Sequence, residues 1–514
     1  MNIVLQNLTR FGDLLQSQPA LAELSGQGHG VAVACLENFA GAAALLPEAT
    51  ALFPLPGARF LAGLAGDWRQ ALVAVTEFAD TVAQKAAPEA VVNLTAALSS
   101  RLLARRLCGD AVRGFSLDSF GFRHESTPWA AFLEASSAKR GLSPFNVVDL
   151  FRKSAGVGQG RGRFALKCPG EAESGQAAAL LADAGPGALA VGFQLGASAA
   201  ARQWPVARFA RVAGLLWERL GTVAVLVGTG AEKPLAARFR ELYSGPCLDL
   251  VGATGLPLLA AVTARLALLV TNDTGTLHLA AGLGVPSVAV FLATAQPFDT
   301  GPYLEGCLCL EPDMPCHPCP FGTPCPRDHA CLEAISPDAV AEAAVTFCRT
   351  GVFVPGHYPG ARAWVSAFDS AGFMDLVSLT GHDSEPRAIW LRHQRHVLRQ
   401  FLDDTPFAPP LSLPPALPDA DRQALAQILA QSAAMLRLIE GQAVLAARNQ
   451  AMKTRFLASY ERMSGLWAAS PHLAVLGQLW QRQAQEQVPS LDQLVANIRR
   501  FAACVDAFTQ LVEA

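Results

Sequence analysis

The densest group of polar residues in otherwise apolar surroundings is Val270-Thr-Asn-Asp-Thr-Gly-Thr-Leu-His278. An apolar run of strand length precedes it and a helical pattern follows, so Asp273, Thr274 and Gly275 fall in a strand-to-helix turn. The N–H groups at the start of such a helix suit phosphates or ribose hydroxyls. An ordinary capping turn, with Asp273 or Thr274 as N-cap and His278 as a satisfied buried histidine, explains the same residues without a ligand. Two further turns share the pattern. In Leu195-Gly-Ala-Ser-Ala-Ala-Ala-Arg-Gln-Trp-Pro205, Gly196 allows close backbone approach, Ser198 offers a hydroxyl, and Arg202 can clamp a diphosphate just before a helix that Pro205 opens. In Gly228-Thr-Gly-Ala-Glu232, Glu232 can accept from ribose hydroxyls, or simply favour the positive end of a helix. Three such turns on successive strands are more specific than any one of them.

Six of the twelve cysteines fall between Cys307 and Cys331. Cys316, Cys319, Cys325 and Cys331 supply enough thiolates for a tetrahedral S4 site, and a CxxC pair followed by two more cysteines in a Pro-rich loop is a metal signal. Reduced thiols packed in a loop are the alternative. With four protein ligands the role would be structural, since no open position remains for catalysis.

These turns need strands to carry them. Leu189–Leu195, Thr222–Val227, Leu266–Val270 and Ser287–Phe291 are apolar runs of strand length, separated by helical stretches at Pro205–Leu220, Pro234–Tyr243 and Leu256–Arg265. The first part of the chain repeats the alternation. Ile3-Val4-Leu5 leads into Thr9-Arg10-Phe11-Gly12-Asp13 and a helical pattern over Leu14–Leu24, and further strands are expected at Gly30–Cys35 and Ala90–Leu94, with a helix at Thr95–Arg106. Alternation of this kind implies parallel βαβ units, and two such halves place a ligand at the carboxyl ends of their strands. Gly156–Gly162 and Gly185-Pro-Gly187 punctuate the chain, with a domain boundary between them. Six prolines between Pro406 and Pro418 mark a stiff linker, and residues 419–514 hold only three glycines and no strand-like run. The last helix begins at Pro489-Ser490 and repeats Leu494, Ile498, Phe501, Val505, Phe508 and Val512 at spacings of four and three, a face that packs on its own bundle or on a second copy.

Together these residues resemble glycosyltransferase family 9, the bacterial heptosyltransferases. The shared elements are the Gly-Ala-Ser segment leading to Trp-Pro (Gly196 to Pro205), the Gly-rich turn at Gly228, the Asn-Asp-Thr-Gly-x-x-His element (Asn272 to His278), Thr300-Gly-Pro-Tyr303, and Arg10-Phe-Gly-Asp13 after the first strand. They occur in the family's order over residues 1–350. The resemblance implies an α/β GT-B fold: two Rossmann-like domains facing a cleft, here followed by an all-helical C-terminal region. The implied division is an acceptor domain at 1–185, a nucleotide-sugar domain at 186–350 with the Cys-rich loop 307–331, a chain return and Pro-rich linker at 351–418, and a helical domain at 419–514. It further implies metal-independent, inverting transfer of a sugar, heptose from ADP-heptose, to a lipopolysaccharide-core or protein acceptor. Asp13 would be the general base, and Gly12, Ser198, Arg202, Glu232, Asp273, Thr274, Gly275 and His278 would bind the donor. No cofactor is expected for catalysis. A structural zinc or iron at Cys316, Cys319, Cys325 and Cys331 is expected, since a protein-modifying branch of the family holds iron in a similar cluster. Arg202 stands where the family often has Lys, and Phe291-Leu-Ala-Thr294 replaces its Phe-Gly-Pro-Thr. A non-catalytic GT-B scaffold that uses the helical tail for assembly is the competing reading.

Composition bounds these expectations. The 514 residues suffice for about three domains. Forty basic against forty-three acidic side chains, −3 overall, give no general electrostatic reason to bind nucleic acid. Hydrophobic residues make up 51% and mean hydropathy is +0.27, too apolar for a disordered chain. Thr274–Phe298 lacks Asp, Glu, Lys and Arg, but its glycines and prolines read as helix, turn and strand, so no transmembrane segment is expected. The first ten residues lack the charge and cleavage pattern of a signal peptide. The expectation is a cytoplasmic protein, peripheral at the inner face of the cytoplasmic membrane, with a homo-oligomer through the helical tail as a further option.

Overall fold

A computed structural model describes residues 1–137, 143–184, 187–410, 416–446, 450–485 and 490–513. The chain forms two compact units: Met1–Leu117 with Phe145–Thr380, and Asp118–Pro144 with Gly381–Ala514. The strands are β1 (Asn2–Gln6), β2 (Gly30–Leu36), β3 (Ala49–Leu55), β4 (Ala90–Asn93), β5 (Val112–Leu117), β6 (Arg123–Glu125), β7 (Ala190–Gln194), β8 (Val223–Val227), β9 (Cys247–Asp249), β10 (Leu268–Asn272), β11 (Ser287–Val290), β12 (Leu308–Pro312), β13 (Ala361–Phe368) and β14 (Met374–Ser378).

In the first unit, β1 pairs in parallel with β2 and β4, and β3 and β5 extend this sheet on either side. The second sheet of the unit runs β14-β13-β12-β11-β10-β7-β8-β9. Its strands from β12 to β9 are parallel, while β13 and β14 add an antiparallel edge. Strands such as Val223–Val227 are apolar at every position and buried throughout, as helices on both faces of a parallel sheet require. The helical pattern at Leu14–Leu24 is two helices, Phe11–Gln16 and Gln18–Gly26. Pro19, in the first turn of the second, lacks the N–H needed to continue the first. The apolar stretch 274–298 contains the helix Gly275–Gly282 and β11. Among the described residues no helix is long and apolar enough to cross a membrane.

Segment boundaries differ from those read in the sequence. Residues 351–418 carry β13, β14 and the helix Pro386–Leu402. The helical unit takes in 118–144 and begins again at 381, before the expected start at 419. Gly156–Gly162 wraps a buried arginine: a Cβ on Gly162 would stand 2.7 Å from Arg152 Nε, and Arg152 Nη2 donates to the Gly160 carbonyl at 2.9 Å. Gly185 and Pro186, at the expected boundary, lie outside the described residues, as do Leu411–Pro415 of the Pro-rich linker and Pro489 ahead of the last helix.

The second unit contains the helices Pro128–Ser137, Pro386–Leu402, Asp419–Ala446, Gln450–Ala469, Ala474–Gln485 and Leu491–Glu513. Ser490 caps the last of these, accepting from the Gln493 amide at 3.2 Å while Gln493 Oε1 accepts from Ser490 N at 3.0 Å. Its face of Ile498, Phe501, Val505, Phe508 and Val512 is buried, with Leu494 only partly so. Phe501 lies against Trp467, Trp480 and Phe401 at ring separations of 5.0–5.7 Å, so the periodic face packs within its own bundle.

Candidate active site

All three donor-type turns lie at the carboxyl ends of neighbouring parallel strands, β8, β7 and β10. Asn272, the last residue of β10, ties two of them together. Its amide donates to the carbonyls of Leu195 and Gly196, each at 3.0 Å, and its Oδ1 accepts from Trp204 N at 2.9 Å. Fully buried, Asn272 thus holds both ends of the loop that displays Ser198 and Arg202. It belongs to the sequence element, yet nothing local distinguishes it from a ligand-binding side chain.

Arg202 reaches across to Asp273, forming an ion pair while also donating to Ser198 Oγ at 3.2 Å. Thr300 Oγ1 donates to the same Asp273 oxygen at 3.3 Å. The guanidinium expected on a diphosphate therefore rests on a carboxylate one strand away, and both side chains are mostly buried. Glu232 is held more firmly than its expected role suggests. Its carboxylate accepts from Gln194 Nε2 and Thr229 N, both at 2.6 Å, and from Thr229 Oγ1 at 3.0 Å, completing a capping box. A Cβ on Gly196 would stand 1.8 Å from Glu232 Oε1, so any larger residue there would push the Glu232 carboxylate out of this arrangement.

Thr274 is the N-cap of Gly275–Gly282 but makes no side-chain capping bond; its hydroxyl faces that of Thr271 at 3.3 Å. Here the two sheets' crossover elements meet. A Cβ on Gly275 would stand 2.2 Å from Phe11 Cδ1, and one on Gly12 would stand 2.8 Å from His278 Cδ2 and 3.2 Å from Gly275 Cα. The paired glycines let the helix after β1 lie directly against the helix after β10. Asp13 is thereby brought beside His278, close enough for its charge to favour the imidazolium, as does that of Asp273. Asp13 is half-buried, and Asn7 Nδ2 holds its main-chain carbonyl at 3.0 Å.

Burial dominates the histidine nevertheless and pushes its pKa below the ordinary value, and its Nδ1 has no hydrogen-bond partner among the described residues. An unfolded chain takes up a proton at this side chain near pH 6.5 that the folded protein resists. His278 therefore costs no stability above about pH 6.5 and lowers it progressively as pH falls from there towards the folded value. Thermal unfolding of the wild type and of His278→Gln between pH 7.5 and 5 should show the shallower decline in the variant. Equal slopes would contradict this placement of the imidazole.

Tyr303 stands apart from this group. Its hydroxyl donates to Asp149 Oδ1 at 2.7 Å and accepts from Arg152 Nη1 at 3.2 Å, while Asp149 Oδ2 accepts from Met374 N at 2.9 Å and Arg152 pairs with Glu23. This buried network joins elements of both sheets in the first unit. The Thr300–Tyr303 element thus splits: Thr300 touches the site, and Tyr303 fixes the framework.

The four cysteines share one loop. Cys319 is raised in pKa first by burial and then by the charges of Cys316, Cys331 and Cys325. Among the described residues, these cysteines form no group of three sulfurs within 4.8 Å of one another. Contacts that pin the loop include Cys319 N donating to the Ala293 carbonyl at 2.8 Å and His317 Nε2 at 3.1 Å from the buried Glu311 on β12.

Residues 79–329 match the model of glycosyltransferase family 9 (heptosyltransferase). Lipopolysaccharide heptosyltransferase 1 of Pseudomonas aeruginosa is 36% identical over 140 residues, 27% of this chain and 38% of that protein. Lipooligosaccharide heptosyltransferase 2 of Campylobacter jejuni is 29% identical over 160 residues, 30% of this chain and 49% of that protein. The chain spans less than half the length of these curated relatives. In fold it is similar to the crystal structure of a family 9 glycosyltransferase from Veillonella parvula, with a TM-score of 0.55, 22% identity, and coverage of 68% of this chain and 97% of that one. The architecture is therefore GT-B with an added helical region, and residues 79–329 carry the likeness to glycosyltransferase family 9, the heptosyltransferases.

Proposed function

We propose that the protein is an inverting glycosyltransferase that moves heptose from ADP-heptose to a lipopolysaccharide-core acceptor at the cytoplasmic face of the membrane. The observation that carries this reading is the close packing of Gly12 on His278 and of Phe11 on Gly275, which sets Asp13 beside the donor-type turns. In the reaction, the acceptor hydroxyl attacks the anomeric carbon and passes its proton to the Asp13 carboxylate. The bond from that carbon to the diphosphate breaks, and the leaving diphosphate keeps the electron pair. Charge developing there is met by Arg202, Ser198 and the N–H groups at Gly275 and Thr276. Arg202 must exchange Asp273 for the diphosphate, leaving Asp273 to Thr300 and the donor's sugar. Glu232, already accepting three hydrogen bonds, fits the ribose only with an oxygen lone pair to spare. The side-chain machinery calls on no metal ion.

A panel of nucleotide sugars in a thermal-shift assay tests the reading. ADP-heptose is expected to raise the melting temperature, and Arg202→Ala to shrink the rise at a given ligand concentration. Absence of any shift across the panel would favour a GT-B scaffold.

Cys316, Cys319, Cys325 and Cys331 offer four soft thiolates, a donor set suited to zinc or iron. We infer that Cys316, Cys319, Cys325 and Cys331 hold one such ion in a structural role. Elemental analysis should find about one metal per chain in the wild type, and none in Cys319→Ser. Metal-free wild-type protein would remove this assignment.

A further inference from the structure

Ala293 occupies the segment Phe291-Leu-Ala-Thr294 that follows β11. Its φ is +52°, in the left-handed region that a residue with a Cβ seldom adopts. Such a conformation persists only where the surroundings over-determine it. Here the surroundings are the cysteine loop. The Ala293 carbonyl accepts from Cys319 N at 2.8 Å, and the Ala293 amide donates to Cys331 Sγ. The main-chain N–H and C=O of this one residue are thus both held from a single loop.

From Ala293 the chain runs directly to the donor-type turns. Ala295 N closes a turn on the Leu292 carbonyl at 3.0 Å, and the Gln296 carbonyl, at the start of the short helix Pro297–Thr300, accepts from Thr300 N at 3.2 Å. Thr300 then reaches Asp273, the partner of Arg202. A second line of contacts converges on the same helix: His317 of the loop meets Glu311, Glu311 Oε2 accepts from Trp364 Nε1 at 3.0 Å, and Trp364 lies edge-on to Phe298 at 5.3 Å.

We propose that Cys319 and Cys331 are positioning residues of the donor pocket, acting through Ala293 to hold segment 291–300 so that Thr300 meets Asp273. The assignment of the pocket rests on the glycosyltransferase reading; the mechanical link does not. The cysteine loop is accordingly part of the donor site's support and not an independent staple.

Hydrogen exchange of the amides in 291–300, together with the affinity for ADP, tests this on the full chain. In Cys331→Ala, which removes the acceptor for the Ala293 amide, exchange in that segment should rise at least tenfold and ADP affinity should fall about tenfold. Ala293→Val leaves every thiol in place but puts a β-branched residue at positive φ; it should reproduce both changes. Ala293→Gly, which keeps both hydrogen bonds, should stay within about twofold of wild type. If Cys331→Ala fails to fold, Ala293→Val decides alone. Wild-type exchange across 291–300 in folded Cys331→Ala or Ala293→Val would overturn the proposal. Failure of the wild type to bind ADP would instead count against the glycosyltransferase reading, while the exchange data would still judge the link.

Discussion

Asp13→Asn is expected to lower turnover by about 10²–10⁴-fold while leaving ADP affinity within about twofold, the signature of a lost general base. The amide has the carboxylate's shape but cannot take the acceptor's proton. Local structure should survive, because Asn7 uses the main-chain carbonyl of Asp13 and not its side chain. The substitution also removes one of the two carboxylate charges that favour a protonated His278, so the imidazole should stay neutral over a wider pH range. Kinetics with saturating donor and ADP titration of the same preparation check this; turnover near the wild-type level would remove Asp13 from the chemistry.

Arg202→Ala should act on the donor. A guanidinium fork can hold two diphosphate oxygens at once, so its loss is expected to weaken ADP binding by about 10–100-fold, one or two charge-assisted hydrogen bonds. A second effect must be separated from the first. Without Arg202, Asp273 keeps a mostly buried carboxylate facing the Thr300 hydroxyl, and stability should fall by roughly 1–3 kcal/mol, less than for a fully dry pair because Arg202 retains some contact with water. Adding Asp273→Asn should recover most of that stability without restoring nucleotide affinity. Arg202→Lys should retain part of the affinity, as a point charge without the planar fork. Calorimetric titration and thermal unfolding of the three variants distinguish the two effects; unchanged ADP affinity in Arg202→Ala would place the diphosphate elsewhere.

What the sequence made legible is what local pattern encodes. Buried parallel strands read as unbroken apolar runs, so β7, β8, β10 and β11 lie where expected, and the polar residues after them fall at strand-to-helix turns. The resemblance gave Asp13 and His278 roles in one site, but their contact was not legible: pattern alone offered only two distant turns. What stayed hidden depends on partners far apart in the chain. Asn272 looks like a ligand-binding residue until Leu195, Gly196 and Trp204 are seen around it. Glu232 looks available until Gln194 and Thr229 occupy it. Gly156–Gly162 reads as a linker because glycine marks both loose chain and close packing, and only Arg152 tells the two apart. Tyr303 shares a short element with Thr300, yet its partners Asp149 and Arg152 come from a helix about 150 residues earlier. The assignment of 118–144 to the helical unit likewise left no local trace.

The central claim is sugar transfer, and the most direct measurement is the release of ADP when the purified protein is incubated with ADP-heptose and a heptose-free lipopolysaccharide core. The account predicts ADP release that requires the acceptor, matches heptose incorporated into it mole for mole, and disappears in Asp13→Asn. Donor binding without acceptor-dependent ADP release, or release that persists in Asp13→Asn, would contradict it.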